Sequence, residues 1–237
     1  MTRARWRSAP SSPPSDDRIE VAVRCMTRRA GRPSKDRPGD RSPPVGWPEY
    51  VLVLDTETTV DPTQRLLFGA YRLCRWCQDP DGRWRLAIDE EGLIHADDLA
   101  LRNPEGMQEL REYVQAHSAD VASGEDPTLH LRSRREFVDE VLWHYGYRAR
   151  ALIVGFNLPF DLSRLATGWG KPRRRGGGHR YVGGYALRLW EFFDKHTCEW
   201  KPNPDRPLVD IKHIDRKRAL IGMMGRVIPK ARRRSRS

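Results

Sequence analysis

The chain has 237 residues, with 43 Lys and Arg against 32 Asp and Glu and a formal net charge of +11. That length fits one α/β domain with tails and argues against two. No apolar run approaches the ~18 residues that a membrane span needs, and the basic start Met1-Thr-Arg-Ala-Arg-Trp-Arg7 leads into Ser and Pro rather than the apolar core of a secretory signal, so the expectation is a cytoplasmic protein with no membrane partner.

Residues 1–45 are predicted to be a disordered basic tail. They hold 11 basic and 5 acidic residues, stretches such as Ala9-Pro-Ser-Ser-Pro-Pro-Ser15 are rich in Pro and Ser, and no periodicity is sustained. Residues 230–237 read as a second basic tail, with 5 basic residues and no acid. The span 46–229, read as the folded domain, carries 27 residues of each sign. The excess charge therefore belongs to the tails and is no argument for a nucleic-acid groove. Inside the domain the charge is polarised: residues 79–126 carry 4 basic and 13 acidic residues, and residues 127–229 carry 20 and 10. A cationic half beside acidic metal ligands favours a phosphodiester substrate, although a solvated mixed surface has the same composition.

The domain opens with Tyr50-Val-Leu-Val-Leu-Asp-Thr-Glu-Thr-Thr59. The continuous apolar run Val51 to Leu54 predicts a strand buried on both faces. Asp55 and Glu57 stand two apart and so point to one side of an extended chain. Two carboxylates side by side repel unless a cation sits between them, and a hard divalent ion takes such oxygen ligands. A solvated strand end with two acids is the alternative. Leu66 to Cys74 predicts a second strand, antiparallel to the first, and Trp84 to Ile88 a third, after the turn cluster Asp79-Pro-Asp-Gly82. Asn103 to Ala116 predicts a short helix. Ser133-Arg-Arg-Glu136 is a capping-box pattern; it opens a helix with Phe137, Val141 and Tyr145 in register, ended by Gly146, which should cross back to a parallel strand at Ala151 to Gly155. There Asn157 is placed to cap a further helix, Pro159 suits its first turn, and Leu162, Leu165 and Ala166 form its apolar stripe. Asp161 falls near the carboxyl end of that strand, where ligands collect in open α/β sheets; a favourable charge at a helix N-terminus is the other reading.

Three features carry less. Cys74-Arg-Trp-Cys77 has zinc-ligand spacing, yet Cys25 and Cys198 are isolated, so strand-end thiols are the better reading. Lys171 to Gly178 is a basic, Gly-rich loop that either tracks phosphates or is plain surface. Trp143, Trp169 and Trp190 are read as core or half-buried side chains, and Pro207 to Ile214 as a strand whose polar residues face solvent.

Asp55-Thr56-Glu57-Thr58-Thr59 and Asn157-Leu-Pro-Phe160-Asp161 together resemble the first and second motifs of the DEDD-type 3′→5′ exonucleases, the proofreading branch of the ribonuclease H-like superfamily. The resemblance spans about residues 48–170. It implies an α/β fold with a ribonuclease H-like mixed sheet, an antiparallel three-stranded meander followed by parallel strands, flanked by helices. It also implies hydrolysis of terminal phosphodiesters at a single-stranded 3′ end. Asp55 would bridge two Mg²⁺ or Mn²⁺ ions roughly 4 Å apart, Glu57 would help hold one and Asp161 the other; Thr58, Thr59, Asn157 and Phe160 are the implied substrate contacts. The family's third motif, an acid preceded by His at five residues or Tyr at four, has no counterpart: none of Asp194, Asp205, Asp210 and Asp215 has either in register. The expectation is a domain incomplete at its C-terminus, with Asp210, His213 and Asp215 as candidate substitutes. Such a domain is an exonuclease that recruits a fourth acid, a catalytically dead nucleic-acid-binding or interaction fragment, or the product of a disrupted gene.

Overall fold

The computed structural model describes residues 48–224 apart from 79, 81, 83, 122–127, 173–182 and 216–217. The two tails, Cys25 and most of the basic loop at 171–178 lie outside the described residues.

Strands β1 (Tyr50–Thr58), β2 (Leu66–Gln78) and β3 (Trp84–His95) form the expected antiparallel meander. Two short helices follow, α1 (Leu99–Arg102) and α2 (Pro104–Ala116). Asn103 caps α2 by accepting the Gly106 amide at 3.0 Å, with Pro104 in the first turn. Strand β4 (His130–Ser133) runs parallel to β3. It leads through one α-turn, α3 (Arg134–Glu136), into a π-helix (Phe137–Arg148), and β5 (Leu152–Val154) then pairs parallel to β1. The five strands lie in the order β4-β3-β2-β1-β5, a mixed sheet of an α/β fold. After α4 (Leu158–Arg164) come β6 (Gly168–Gly170), β7 (Tyr185–Arg188), the hairpin β8 (Glu191–Asp194) and β9 (Glu199–Pro202), and then β10 (Leu208–Asp215) and β11 (Arg218–Met224). Four of these make a second sheet ordered β11-β10-β7-β6.

One continuous core joins the two sheets through the helices. Leu52, Leu54 and Tyr71 from the first sheet, Phe137, Val138, Val141 and Leu142 from the π-helix, Leu162 and Leu165 around α4, and Leu187, Trp190, Val209 and Ile211 from the later strands share it. Trp190 Nε1 donates to the Val138 carbonyl at 2.9 Å, which satisfies the polar edge of a fully buried ring.

Five expectations are corrected. Strand β1 is buried on both faces only at its start: Leu52 and Leu54 are sealed on the core side, and on the other side Val51 is buried but Val53 is 39% exposed. Strand β3 runs seven residues past Ile88. The acids Asp89 and Glu91, just beyond the expected strand, are neutralised across the sheet by Arg75 (3.1 Å) and Arg72. Gly146 does not end its helix. The π-helix continues to Arg148, and Gly146 lets it pass Leu142, whose Cδ1 lies 2.9 Å from where a Cβ would stand. On β10 the polar residues do not all face solvent: Asp210 is 1% exposed between the sealed Val209 and Ile211, because β10 is an inner strand of the second sheet. Trp169 is 75% exposed, because edge strand β6 has a neighbour on one side only. Cys74 is buried and Cys77 exposed on the same strand, so they do not form one site. No helix among the described residues is long and apolar enough to cross a membrane.

The capping box is present in full. Ser133 Oγ accepts the Glu136 amide at 3.2 Å, and Glu136 Oε2 accepts the Ser133 amide at 2.7 Å. That second bond is the main reason the Glu136 carboxyl sits below the ordinary glutamate range. Ser133→Ala is expected to lower stability by about 1 kcal/mol; an unchanged urea midpoint would show that the box contributes nothing.

Candidate active site

The pleat of β1 sorts the Asp-Thr-Glu segment by face. Asp55 and Glu57 are exposed on the uncovered side of the sheet, and Thr56 points to the core side at 6% exposure. A bulge between Glu57 and Thr58 ends the regular register. Thr59 then clasps the β1–β2 loop from both directions. Its amide donates to the Arg65 carbonyl at 2.9 Å, and its Oγ1 accepts the Arg65 amide at 3.0 Å. In the same loop, hydrogen bonds from Thr59 and Thr63 hold the exposed Asp61 carboxyl down at about 2.

Helix α4 supplies the third carboxylate. Asn157 stands at its N-cap and is exposed, but its side chain makes no capping bond. The expected side-chain cap is replaced by the Asn157 carbonyl, which accepts the amides of Phe160 (2.8 Å) and Asp161 (3.0 Å). The helix buries Leu162 and Leu165 against the core and takes Asp161 in with them, to 2% exposure. Asp161 Oδ1 accepts a hydrogen bond from Thr56 Oγ1 at 2.9 Å, and Asp161 Oδ2 is buried with no partner. Burial is the main force pushing the Asp161 carboxyl above the ordinary aspartate range. The negative charge of Asp55 adds to it, and the Thr56 hydrogen bond opposes it. Phe160 is half-buried beneath the Arg164 guanidinium, 4.6 Å from its ring centre.

The fold thus brings the two motifs into contact, and it does so through Thr56, which sequence reasoning passed over. The signal was available: in a half-buried strand the residue between two outward acids faces the core. Asp55 is close enough to act on Asp161 through its charge. Among the described residues, however, no three His, Cys, Asp or Glu side chains converge as a metal-holding group. Of the candidate substitutes for a fourth acid, Asp210 is sealed in the second sheet. His213 is exposed there and stacks with Tyr185, and Asp215 is exposed and paired with Arg218 at 2.6 Å. Comparison of the chain with known proteins finds no matching family model, no matching curated protein and no matching solved structure.

Proposed function

We propose that this chain is a divalent-metal-dependent 3′→5′ exonuclease-like domain acting on nucleic acid, built on a ribonuclease H-like sheet. The observation that carries the reading is Asp161. A carboxylate buried to 2% exposure, with one oxygen held by Thr56 and the other without a partner, destabilises the fold that contains it. Burial first, and the Asp55 charge with it, raises its titration, and perturbed titratable groups gather at functional sites. The opening meander, the parallel β5 beside β1 and the position of α4 directly after β5 support the fold reading.

The donor chemistry suits Mg²⁺ or Mn²⁺. Asp55, Glu57 and Asp161 offer carboxylate oxygens only, and Asp161 Oδ2 is free to accept. A bound metal would supply Lewis-acid stabilisation of a phosphodiester oxygen and a more acidic water; Asp161 would be its buried ligand, while Asp55 and Glu57 lie on the opposite face of β1 from Thr56 and do not converge with Asp161 among the described residues. Thr56 fixes the Asp161 carboxyl so that Oδ2, not Oδ1, is the free oxygen. Thr58, Asn157 and Phe160 lie at the ends of β1 and β5 where a strand terminus would enter, and Phe156, 96% exposed beside Asn157, offers a bare ring for a nucleobase.

One observation favours a second reading, strand binding without hydrolysis: among the described residues three ligating side chains do not converge. The deciding experiment is Mn²⁺- or Mg²⁺-dependent release of nucleotides from a 3′-labelled single strand, comparing the wild type with Asp55→Ala. Release that disappears in the variant is the expected result. Release unaffected by the substitution removes Asp55 from the chemistry, and binding with no release establishes the second reading.

A further inference from the structure

A cleft of about 400 Å³ opens between the β1–β2 loop, the β3–α1 connection and the end of α4. That volume lies within the roughly 300–1,000 Å³ of small-ligand sites. Four arginines line it, Arg65, Arg102, Arg134 and Arg164, against Asp97 and Asp98. Three of them are ion-paired. Arg134 holds Asp97 (2.7 Å) and Glu191 (2.9 Å), and Arg65 (2.6 Å) and Arg102 (2.9 Å) share Asp98.

Arg164 differs. Its Nε donates to Ser163 Oγ at 3.1 Å, its Nη1 donates to the Gln64 carbonyl at 2.6 Å, and its plane rests over Phe160. Among the described residues no carboxylate pairs with it, and the N–H groups of Nη2 have no acceptor there. The guanidinium is therefore fixed in place, half-buried and without a counter-charge, with its outer edge unused. The loop that fixes it is itself strained. Gln64, whose carbonyl holds Arg164, has φ of +43°, a conformation unfavourable for any residue with a Cβ. A strained loop that orients an unpaired cation in a cationic cleft is suited to gripping an anion, and the flat guanidinium fork matches the oxygens of a phosphate.

We propose that this cleft binds a phosphate of the nucleic-acid strand, the neighbour of the phosphate held at Asp161, with Arg164 as its anchor and Arg65 as a second contact. The placement rests on the exonuclease reading. Asp161 and Arg164 are three residues apart on α4, about 4.5 Å along its axis and on adjoining faces. The β1–β2 loop, which follows β1 in the chain, supplies Thr63, Gln64 and Arg65 to the cleft wall. A strand whose end lies at the carboxylates passes the cleft next.

The test is fluorescence anisotropy of a labelled oligothymidylate in EDTA, titrated at several salt concentrations, with the full chain. Arg164→Ala is expected to weaken binding roughly tenfold at low salt and to reduce the slope of log K against log salt by about 0.7, the value of one phosphate contact on a single strand. Arg164→Lys should keep the slope and lose part of the affinity, since it retains charge without the fork. Arg65→Ala, at an exposed side chain whose loss does not threaten folding, should lower the slope as well. If the wild type releases nucleotides in an Asp55-dependent manner while both alanine variants bind with unchanged slope, the cleft assignment is overturned and the exonuclease reading stands. If binding depends on Arg164 and nothing is released, the phosphate site stands and the exonuclease reading falls. A wild type that does not bind the strand in EDTA overturns the cleft assignment, and the exonuclease reading is then decided by metal-dependent release alone.

Discussion

Asp161→Asn is expected to unfold at a higher temperature than the wild type at pH 7 in EDTA, and to lose metal-dependent nucleotide release by about 100-fold or more, beyond what loss of an outer partner of a metal ligand costs. Asparagine keeps the size of the side chain and the oxygen that accepts from Thr56; it exchanges the unpartnered Oδ2 for an equally unpartnered NH2, so the dominant change is loss of the buried charge. Burial first, then the Asp55 charge, raises the carboxyl above its ordinary value of 3.8. Between that value and the raised one, the native state binds more protons than the unfolded state. Stability therefore falls as pH rises through this window, and the ionised carboxylate remains a cost at pH 7. The variant has no such group, so its stability should be flatter across the same window. Added Mn²⁺ reverses the comparison. A metal that binds only the native state stabilises it by about 2.7 kcal/mol at a hundred times its dissociation constant, and the wild type alone should show that gain. Thermal scans across this pH range, with EDTA and then with Mn²⁺, settle the matter. A variant less stable than the wild type in EDTA would mean that Asp161 is a structural acid and not a ligand held at a cost.

Local patterns carried the elements well. The alternation through Asp55, Thr56 and Glu57, the capping box of Ser133 and Glu136, and the return of the chain to a strand parallel to β1 all follow from spacing of a few residues. What failed depended on partners far away in sequence. Asp89 and Glu91 extend β3 because Arg72 and Arg75 stand across the sheet on β2. Asp210 is sealed because β7 and β11 flank its strand, which its alternating pattern does not reveal. Thr56 reads as a β-branched residue doing no more than favouring a strand, since its partner Asp161 is 105 residues further on. Asn157 has the right residue type and position for a cap, yet whether its side chain closes the bond depends on its rotamer. The candidate carboxylates were thus legible as a set of motifs. Their facing relations were not, because these depend on which side of the first sheet the helices cover.

Arg134 carries the other large expected effect; an arginine in the first turn after a capping box is ordinarily at the surface. Arg134 is instead 6% exposed. Its Nε donates to Asp97 (2.7 Å), its Nη1 to the carbonyls of Leu189 (2.9 Å) and Leu165 (3.3 Å), and its Nη2 to Glu191 (2.9 Å). One guanidinium thereby joins the β3–α1 connection, the end of α4 and the start of β8. Removing one partner of a buried ion pair costs about 3–5 kcal/mol, because the remaining charges stay buried. For a chain of this size that lowers the melting temperature by roughly 6–20 °C. Arg134→Ala should therefore be severely destabilised in urea unfolding, and Arg134→Lys nearly as much, since one ammonium cannot reach four acceptors in three directions. Asp97 keeps the Arg135 amide at 2.9 Å, whereas Glu191 is left with the Arg135 guanidinium at 3.7 Å, so the greater part of the penalty falls on Glu191. In the Arg134→Ala background, Glu191→Gln should then cost less than it does in the wild type, or even restore stability. Equal costs in the two backgrounds would mean that the pair is not coupled and that the destabilisation comes from the lost carbonyl contacts alone.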